Sequence, residues 1–262
     1  PADFRGAVPL GLHVEGPFLN PAKKGAHNPA YITAPDARRA ADWSPETGVR
    51  LVTLAPELPG AVEFCKALVS RGIVPAIAHS EAVLEEVRRV YDEGCHLVTH
   101  LYSGMTGVVR KNAYRKLGVV ESAFLLDNMH AELIADGHHL PPELLRLIYK
   151  IMGPERLILV TDSMRGAGQP DGPSILGPQG ESVPCIIEGG VAKLPDRSAF
   201  AGSVATADTL VRTMYKKVGI PLWISVMMLT ENPARVMGLE KKGRLEPGFD
   251  ADIVIFDDDI QI

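Results

Sequence analysis

Short apolar runs recur along this chain and alternate with segments of helical spacing. The first run, residues 8–14, predicts a buried strand that breaks at Gly16-Pro17, with Glu15 as the last side chain before the break. Further runs predict strands at residues 51–55, 73–78, 95–99, 131–135, 157–161 and 198–201. Strands that alternate with helices in this way are typical of βα units in an α/β protein with a parallel sheet.

The segments between these runs supply the helices. Helical spacing or a starting proline predicts helices at residues 34–42, 60–70, 81–92, 141–151, 206–218 and 221–229. Residues 122–126 are a further apolar stretch, residues 180–195 predict a small hairpin, and residues 251–256 predict a closing strand. Seven strands with helical crossovers are one short of a closed (β/α)8 barrel. The doubly wound sheet is the competing architecture, but its Gly-x-Gly-x-x-Gly fingerprint is absent.

Composition narrows the function classes. The chain has 262 residues, 46% of them hydrophobic, and a formal net charge of −5, which gives no global signal for nucleic acid or a membrane surface. Cys65, Cys95 and Cys185 are odd in number and far apart, so they fit neither a disulfide framework nor a zinc-knuckle spacing. We therefore expect free thiols and a cytoplasmic location.

Glu15, His79 and His100 each end an apolar run. In a parallel barrel, the carboxyl ends of strands carry the active groups. One carboxylate and two imidazoles suit a divalent metal that keeps an open coordination position. The alternatives are hydrogen-bonded structural histidines and a glutamate paired with an arginine.

Asp162 ends a later strand, and Asp136-Gly137-His138-His139 ends another. An aspartate that faces a water acidified by a metal would act as general base and then as general acid. The alternative for Asp162 is an N-cap of the following segment. His139 either orients a substrate or is a solvated side chain beside a tight turn.

Residues 110–116 form a basic cluster that contains Arg110 and Arg115. Arginine recognises phosphate through paired N–H donors, so a phosphate site is one interpretation. A solvated helix face is the other interpretation, and composition alone favours it.

The motifs resemble those of the N-acetylglucosamine-6-phosphate deacetylase family of the amidohydrolase superfamily. The resemblance is carried, in family order, by Gly-Leu-His-Val-Glu-Gly-Pro-Phe at 11–18, Lys-Lys-Gly-Ala-His-Asn-Pro at 23–29, Ala-His-Ser at 78–80, Thr-His-Leu-Tyr at 99–102, Ile-Ala-Asp-Gly-His-His at 134–139, Leu-Val-Thr-Asp at 159–162, Ala-Gly-Ser at 201–203 and the closing segment at 243–252. The first of these motifs is the most specific.

The resemblance implies a (β/α)8 TIM-like barrel of the metal-dependent hydrolase type, over residues 1–240 with a hairpin insertion at about 180–195. Residues 241–262 would be a remnant of a small β-sandwich domain. The family has sandwich strands and a first barrel strand before the first matching motif, so we expect these parts to be missing. Ser103-Gly104 stands where the family usually has Asn-Ala, and the arginine region is longer than usual.

The implied reaction is hydrolysis of the acetamide of N-acetylglucosamine 6-phosphate. Asp162 would be the proton shuttle, and one divalent metal (zinc first; iron, cobalt or manganese as alternatives) would bind Glu15, His79 and His100. An arginine from the second subunit of a homodimer would hold the phosphate. The implied substrate contacts are Ala26, His27, Ser103, Gly104, Arg110 or Arg115, Asp136, Gly137, His138, His139, Phe200, Ala201 and Gly202. The alternatives are a catalytically silent fragment and an amidohydrolase that acts on a cyclic amide.

Overall fold

The computed structural model describes residues 6–177, 180 and 182–262. Its strands are β1 (Leu12–Val14), β2 (Val49–Leu54), β3 (Val74–Ile77), β4 (Leu97–Val98), β5 (Val109–Lys111), β6 (Tyr114–Lys116), β7 (His130–Leu133), β8 (Leu157–Leu159), β9 (Gly172–Leu176), β10 (Val183–Glu188), β11 (Val191–Lys193) and β12 (Phe200–Ser203). Its α-helices are α1 (Ala61–Val69), α2 (Leu84–Tyr91), α3 (Val119–Leu125), α4 (Pro142–Met152), α5 (Ala207–Arg212), α6 (Leu222–Leu229) and α7 (Glu231–Val236). A π-helical segment, Thr213–Val218, continues α5.

Six strands form one sheet in the order β1-β2-β3-β4-β7-β8, and every neighbouring pair is parallel. The sheet curls into a half-barrel, and helices follow most of its strands. The predicted fold class is therefore confirmed, because the described sheet is part of a TIM-like α/β barrel. The described helices include no segment with the length and apolarity required to cross a membrane.

The two faces of the sheet carry different side chains, because successive residues of a strand point to opposite faces. On the helix-covered face, Ala131 and Leu133 of β7 belong to the large core cluster that includes Phe64 and Leu145. The inner face has a smaller cluster, formed by Leu51, Ala76, Leu97 and Ile158. The inner face of the curled sheet is thus packed at the amino ends of its strands, and the groups that follow their carboxyl ends lie above this layer.

A second, antiparallel sheet with the order β12-β11-β10-β9 stands beside the carboxyl end of β8. The hairpin predicted at residues 180–195 forms as β10 and β11, and residue 181 lies outside the described residues. The strand predicted at residues 198–201 is β12 of this sheet and not a barrel strand. Its Ser203 exchanges backbone hydrogen bonds with Asp162 and Met164. Within the described residues, the barrel part therefore has six strands where seven were predicted.

The first strand differs most from its prediction. Only residues 12–14 are β-structure, and the Val8 and Leu12 side chains are 67% and 62% exposed. In the described chain β1 pairs only with β2, so it is an edge strand with one side open. An apolar run predicts burial only where the strand has neighbours on both sides or a helix over it, and in the described chain this run has β2 on one side only.

Other predicted elements also changed. Residues 34–42 contain only the short 3₁₀ turn Ala37–Ala40, which begins where the Asp36 carboxylate accepts the Arg38 amide. The apolar stretch 122–126 lies largely in α3. The basic cluster at 110–116 is the antiparallel hairpin β5–β6 and not a helix face. Residues 251–256 form no strand, because no described strand pairs with them. The division at residue 240 stays a prediction.

Candidate metal centre and the cavity around it

Three groups from three strand ends meet at one point. Glu15 follows β1, His79 follows β3 and His100 follows β4. The Nε2 atoms of His79 and His100 lie 2.9 Å and 2.6 Å from the same Glu15 oxygen, Oε1. The three potential ligand atoms all lie within 4.8 Å of one another. Because parallel strands end at one edge of the sheet, residues far apart in sequence become neighbours here.

The charges of these groups stabilise each other. Burial opposes ionisation of Glu15, but hydrogen bonds from His100 and His79 outweigh it and hold the pKa of Glu15 far below its usual range. Burial lowers the pKa of His100, but the hydrogen bond and the negative charge of Glu15 outweigh this effect and raise that pKa to about 9. The buried carboxylate thus requires positive charge beside it, which imidazolium protons or a divalent cation can supply.

The donor set fits a divalent metal. One carboxylate oxygen and two imidazole nitrogens are three protein ligands, the number found in catalytic sites that keep an open position. Nδ1 of His79 lies 2.6 Å from the carbonyl oxygen of Lys23, which can accept its proton. Such an outer hydrogen bond fixes the tautomer of a ligating histidine and directs Nε2 to the metal. Among the described residues, this is the one group of three such side chains close enough to hold an ion.

The three groups face a cavity of about 600 Å³. Asp162, which follows β8, lies on its wall, and burial together with the negative charge of Glu15 raises the pKa of its carboxyl group. Apolar side chains form much of the wall: Tyr31, Ile134, Met164, Leu176, Val183 and Phe200. The antiparallel sheet therefore supplies part of the binding surface, a contribution that the sequence motifs indicated only for residues 200–202.

His139 enters the cavity as part of a fixed unit. Its Nδ1 lies 2.7 Å from Oδ2 of Asp136, and its ring lies 4.6 Å from the ring of Phe200. The other oxygen of Asp136 accepts the backbone amides of His138 and His139. Burial of Asp136 opposes its ionisation, but these hydrogen bonds outweigh burial and lower its pKa. Asp136 is thus a support for His139 and does not line the cavity.

The other residues predicted for the site divide into two groups. Those on the cavity wall are Ala26, His27, Ser103, Gly104, His139, Phe200 and Gly202. The ring of His27 lies 4.8 Å from that of His79. Those outside the wall are Arg110, Arg115, Asp136, Gly137, His138 and Ala201. Arg110 and Arg115 face each other across the exposed hairpin β5–β6.

Two polar residues of the inner face were not predicted from the sequence. His13 lies two residues before Glu15, and its Nε2 is 2.6 Å from Oγ1 of Thr53. Glu132 is 6% exposed, and burial raises its pKa to about 7 although His100 acts in the opposite direction. The sequence signal that could have found them is the alternation of side chains along a strand. His13 shares a face with Glu15, and Glu132 shares a face with Ile134.

The fold and the site together define a partial TIM-like barrel with a candidate metal site at the carboxyl ends of its strands. A model of the amidohydrolase family matches residues 3–262. The chain belongs to the amidohydrolase family, whose members depend on metal ions, and the resemblance carried by the sequence motifs is thereby confirmed.

Relatives with assigned activities are similar along nearly the whole chain. N-acetylglucosamine-6-phosphate deacetylase of Lysinibacillus sphaericus is 36% identical over 251 residues, which are 95% of this chain and 62% of that protein. N-acetylgalactosamine-6-phosphate deacetylase of Escherichia coli O157:H7 is 33% identical over 98% of this chain and 66% of its own length. The chain thus spans about two thirds of the length of these relatives, or less.

Solved structures show the same similarity. N-acetylglucosamine-6-phosphate deacetylase of Thermotoga maritima matches with a TM-score of 0.87 and 33% identity, over 96% of this chain and 66% of that one. The Mycobacterium smegmatis deacetylase, an aspartate-to-alanine mutant in complex with N-acetyl-D-glucosamine-6-phosphate, matches with a TM-score of 0.86 and 34% identity, over 95% of this chain and 65% of that one.

Proposed function

We propose that this chain hydrolyses the acetamide of an N-acetylhexosamine 6-phosphate, with N-acetylglucosamine 6-phosphate as the first candidate, to acetate and the amino-sugar phosphate. One observation carries the proposal: Glu15, His79 and His100 converge on the wall of a cavity that also contains Asp162. The deacetylase names of the relatives and the sugar phosphate bound to the Mycobacterium smegmatis protein support this substrate class.

Glu15, His79 and His100 would hold one divalent cation, zinc first, with iron, cobalt and manganese as alternatives. A cation held by such ligands lowers the pKa of a water and polarises a carbonyl group. The donor set does not select between these metals, because oxygen and imidazole ligands suit all four.

Asp162 would move the proton. Its carboxylate takes a proton from the attacking water as the water oxygen bonds to the acetamide carbon. It then delivers this proton to the departing nitrogen as the C–N bond breaks, which gives the free amine and acetate. The raised pKa of Asp162 brings the carboxyl group nearer to the range in which it can both accept and donate a proton.

The remaining wall residues would bind and orient the substrate. His27 lies beside His79 and can donate a hydrogen bond to the acetamide oxygen. His139, which follows β7, and Phe200 of β12 pack against each other and would contact the sugar. Arg110 or Arg115 would reach the phosphate from the second subunit of a homodimer. Both arginines lie outside the cavity wall of their own chain, which agrees with action in a partner.

The three buried free cysteines agree with a reducing cytoplasm.

The test is acetate release after reconstitution of the metal-free chain with each of the four metals. N-acetylglucosamine 6-phosphate, N-acetylgalactosamine 6-phosphate and unphosphorylated N-acetylglucosamine should be compared. We expect turnover of a phosphorylated sugar and a loss of about 10²- to 10⁴-fold in Asp162→Asn. Glu143→Gln, which changes a residue in the first turn of α4, is the matched control. No turnover by a folded, metal-loaded chain would support the silent-fragment alternative instead.

A further inference from the structure

Strand β2 lies between β1 and β3, whose ends carry Glu15 and His79, but it supplies none of the three potential metal ligands. The carboxylate that follows β2 is that of Glu57, three residues after the end of the strand. Glu57 does not belong to the cavity wall. Any effect of this carboxylate on the site is therefore exerted through other residues.

The Glu57 carboxylate accepts three hydrogen bonds. Its Oε1 accepts the side-chain amide of Asn20, at 2.8 Å, and the backbone amide of Glu81, at 2.6 Å. Its Oε2 accepts the hydroxyl group of Ser80, at 2.7 Å. The Ser80 oxygen itself accepts the backbone amide of Ala82, so its proton is left for Glu57. Three donors on two oxygens match the acceptor capacity of a carboxylate.

Two of these donors directly follow His79 in the chain. The backbone of His79 has φ +47°, a conformation that strains a non-glycine residue and persists only where the surrounding structure holds it. The bonds from Ser80 and Glu81 to Glu57 hold the chain immediately after this strained residue. The Ser80 amide is also bonded to the Gly104 carbonyl oxygen. Glu57 thus helps to fix the backbone of a potential metal ligand.

The third donor, Asn20, connects Glu57 to the ring of His79. The Asn20 side-chain oxygen caps the short 3₁₀ turn Pro21–Lys23 by accepting a backbone amide, at 2.8 Å. The carbonyl oxygen of Lys23, in this turn, lies 2.6 Å from Nδ1 of His79. The backbone amide of Asn20 donates to the His79 carbonyl oxygen, at 2.9 Å. The bond between Asn20 and Glu57 therefore holds the turn whose carbonyl group orients the imidazole.

We propose that Glu57 is a positioning residue that holds His79 with its Nε2 directed at Glu15 and at the metal position. The Glu57 carboxylate joins the segment after Glu15 to the segment after His79, and it contacts neither the cation nor the substrate. His79 is held in this way both at its backbone and at Nδ1. This inference rests on the metal site of the proposed function, but it does not depend on which amide the chain hydrolyses.

Three variants and one matched control separate the contributions. Glu57→Ala removes both acceptor oxygens, whereas Glu57→Gln can keep the oxygen that accepts from Asn20 and Glu81. Asn20→Asp keeps the oxygen that caps the turn, but it removes the donor and places a second carboxylate against Glu57. The control is Asn128→Asp, the same chemical change at an exposed residue just before the amino end of β7, away from the site.

Metal affinity is the first measurement. The metal-free chain is titrated with Co²⁺, followed by the visible absorption of the bound ion, and with Zn²⁺ in competition with a chelating dye. We expect Glu57→Ala and Asn20→Asp to bind about 10- to 100-fold more weakly than wild type and to change the Co²⁺ spectrum. Glu57→Gln should lose no more than about fivefold, which corresponds to one ordinary hydrogen bond. Asn128→Asp should stay within about twofold of wild type.

The sign of the effect in Asn20→Asp excludes a simple charge effect. An added negative charge attracts a cation, so charge alone would strengthen metal binding in this variant. Weaker binding would therefore report the displaced turn and the displaced imidazole.

The second measurement is the Nδ1 proton of His79 in the metal-free chain. Because Nδ1 faces a carbonyl oxygen, it carries a proton, and NMR of the ¹⁵N-histidine-labelled protein detects this proton while its hydrogen bond protects it from exchange with water. Its absence in His79→Gln assigns the signal. We expect the signal in wild type, Glu57→Gln and Asn128→Asp, and its loss in Glu57→Ala and Asn20→Asp. A carboxylate that only supported the fold would lower stability without removing this signal.

The outcomes distinguish the two proposals. Wild-type metal affinity and a retained signal in Glu57→Ala, or in Asn20→Asp where Glu57→Ala does not fold, would overturn the role of Glu57. A wild-type chain that binds metal but releases no acetate contradicts the proposed activity, while the comparison of affinities still decides on Glu57. If the wild-type chain binds no metal, the metal site of the proposed function is wrong, and the Nδ1 signal decides whether Glu57 holds His79.

Discussion

Nδ1 of His139 lies 2.7 Å from Oδ2 of Asp136, and this pair connects the buried end of β7 to the cavity. The Asp136 side chain is almost fully buried, and its Oδ1 is occupied by two backbone amides. The carboxylate therefore has a fixed position and can hold the imidazole in one tautomer and one orientation. On its other side, the ring of His139 packs against Phe200 of the antiparallel sheet.

The first prediction concerns this pair. Asp136→Asn keeps the size of the side chain but removes the charge that holds His139. We expect kcat/KM for deacetylation to fall about 10- to 100-fold, the loss that is typical when the hydrogen-bond partner of a metal-bound histidine is removed. The free energy of unfolding should fall by about 1–3 kcal/mol, because a buried hydrogen bond to a charged group is weakened. Steady-state kinetics and urea unfolding check the two effects, and unchanged kinetics would contradict the assigned role.

The second prediction is a pH dependence of stability. The pKa of Asp136 is lowered in the folded chain from an ordinary value of 3.8, because hydrogen bonds outweigh the effect of burial. Its contribution to stability is therefore fully present above the unfolded pKa and disappears as the pH falls through the folded pKa. We expect the difference in unfolding free energy between wild type and Asp136→Asn to be constant from about pH 7 to pH 5 and to shrink below about pH 4.

Urea unfolding at a series of pH values measures this difference. Subtraction of the variant removes the contributions of the other carboxylates, which both proteins share. A difference that stays constant down to about pH 3 would mean that Asp136 has its ordinary pKa in the folded chain. Glu143→Gln, in the first turn of α4, should show no comparable change with pH relative to wild type.

The strand ends were predictable from the sequence because local pattern determines them. An apolar run that stops at Glu15, His79, His100 or Asp162 indicates where a strand ends, and parallel topology then brings such ends to one edge. Whether other elements cover a strand does not depend on its local sequence. The first run is apolar, but it lies at an open sheet edge, so the expected burial did not follow.

Sequence patterns did not predict which strands pair with each other or in which register. Glu132 stands in a run that looks like any strand with one charged residue, and only the register of β4 and β7 shows that it lies beside Thr99. The prediction of a strand at residues 198–201 was correct in secondary structure. The strand belongs to the antiparallel sheet and not to the barrel, because its partner is β11. Strand propensity does not specify the partner.

The third prediction concerns the support of His79. Gly104 has φ +59°, and a Cβ atom there would lie 2.5 Å from Nδ1 of His79 and 3.1 Å from the Lys23 carbonyl oxygen. We expect Gly104→Ala to displace His79 and to weaken metal binding by about 10-fold or more, because the hydrogen bond between Nδ1 and Lys23 cannot persist. Metal titration of the purified variant measures this effect.

A second glycine provides the matched control. Gly168 has φ +75°, and a Cβ atom added there would meet no heavy atom within 4 Å, so Gly168→Ala introduces the backbone strain without the contact. The strain of a left-handed residue should cost each variant about 1–2 kcal/mol of stability. Only Gly104→Ala should also lose metal affinity. Equal affinities in both variants would show that the contact with His79 is relieved without effect.

The fourth prediction concerns removal of the metal. A ligand that binds only the folded chain stabilises it by about 2.7 kcal/mol when its free concentration is about 100 times the dissociation constant. We expect the wild-type chain to show this gain with Zn²⁺ and to lose it with a chelator. Glu15→Gln should show little gain, because the amide cannot supply the negative charge that the two histidines and the cation share. Thermal unfolding with and without Zn²⁺ measures the gain, and Glu143→Gln should retain it in full. A gain of wild-type size in Glu15→Gln would mean that the cation binds elsewhere on the chain.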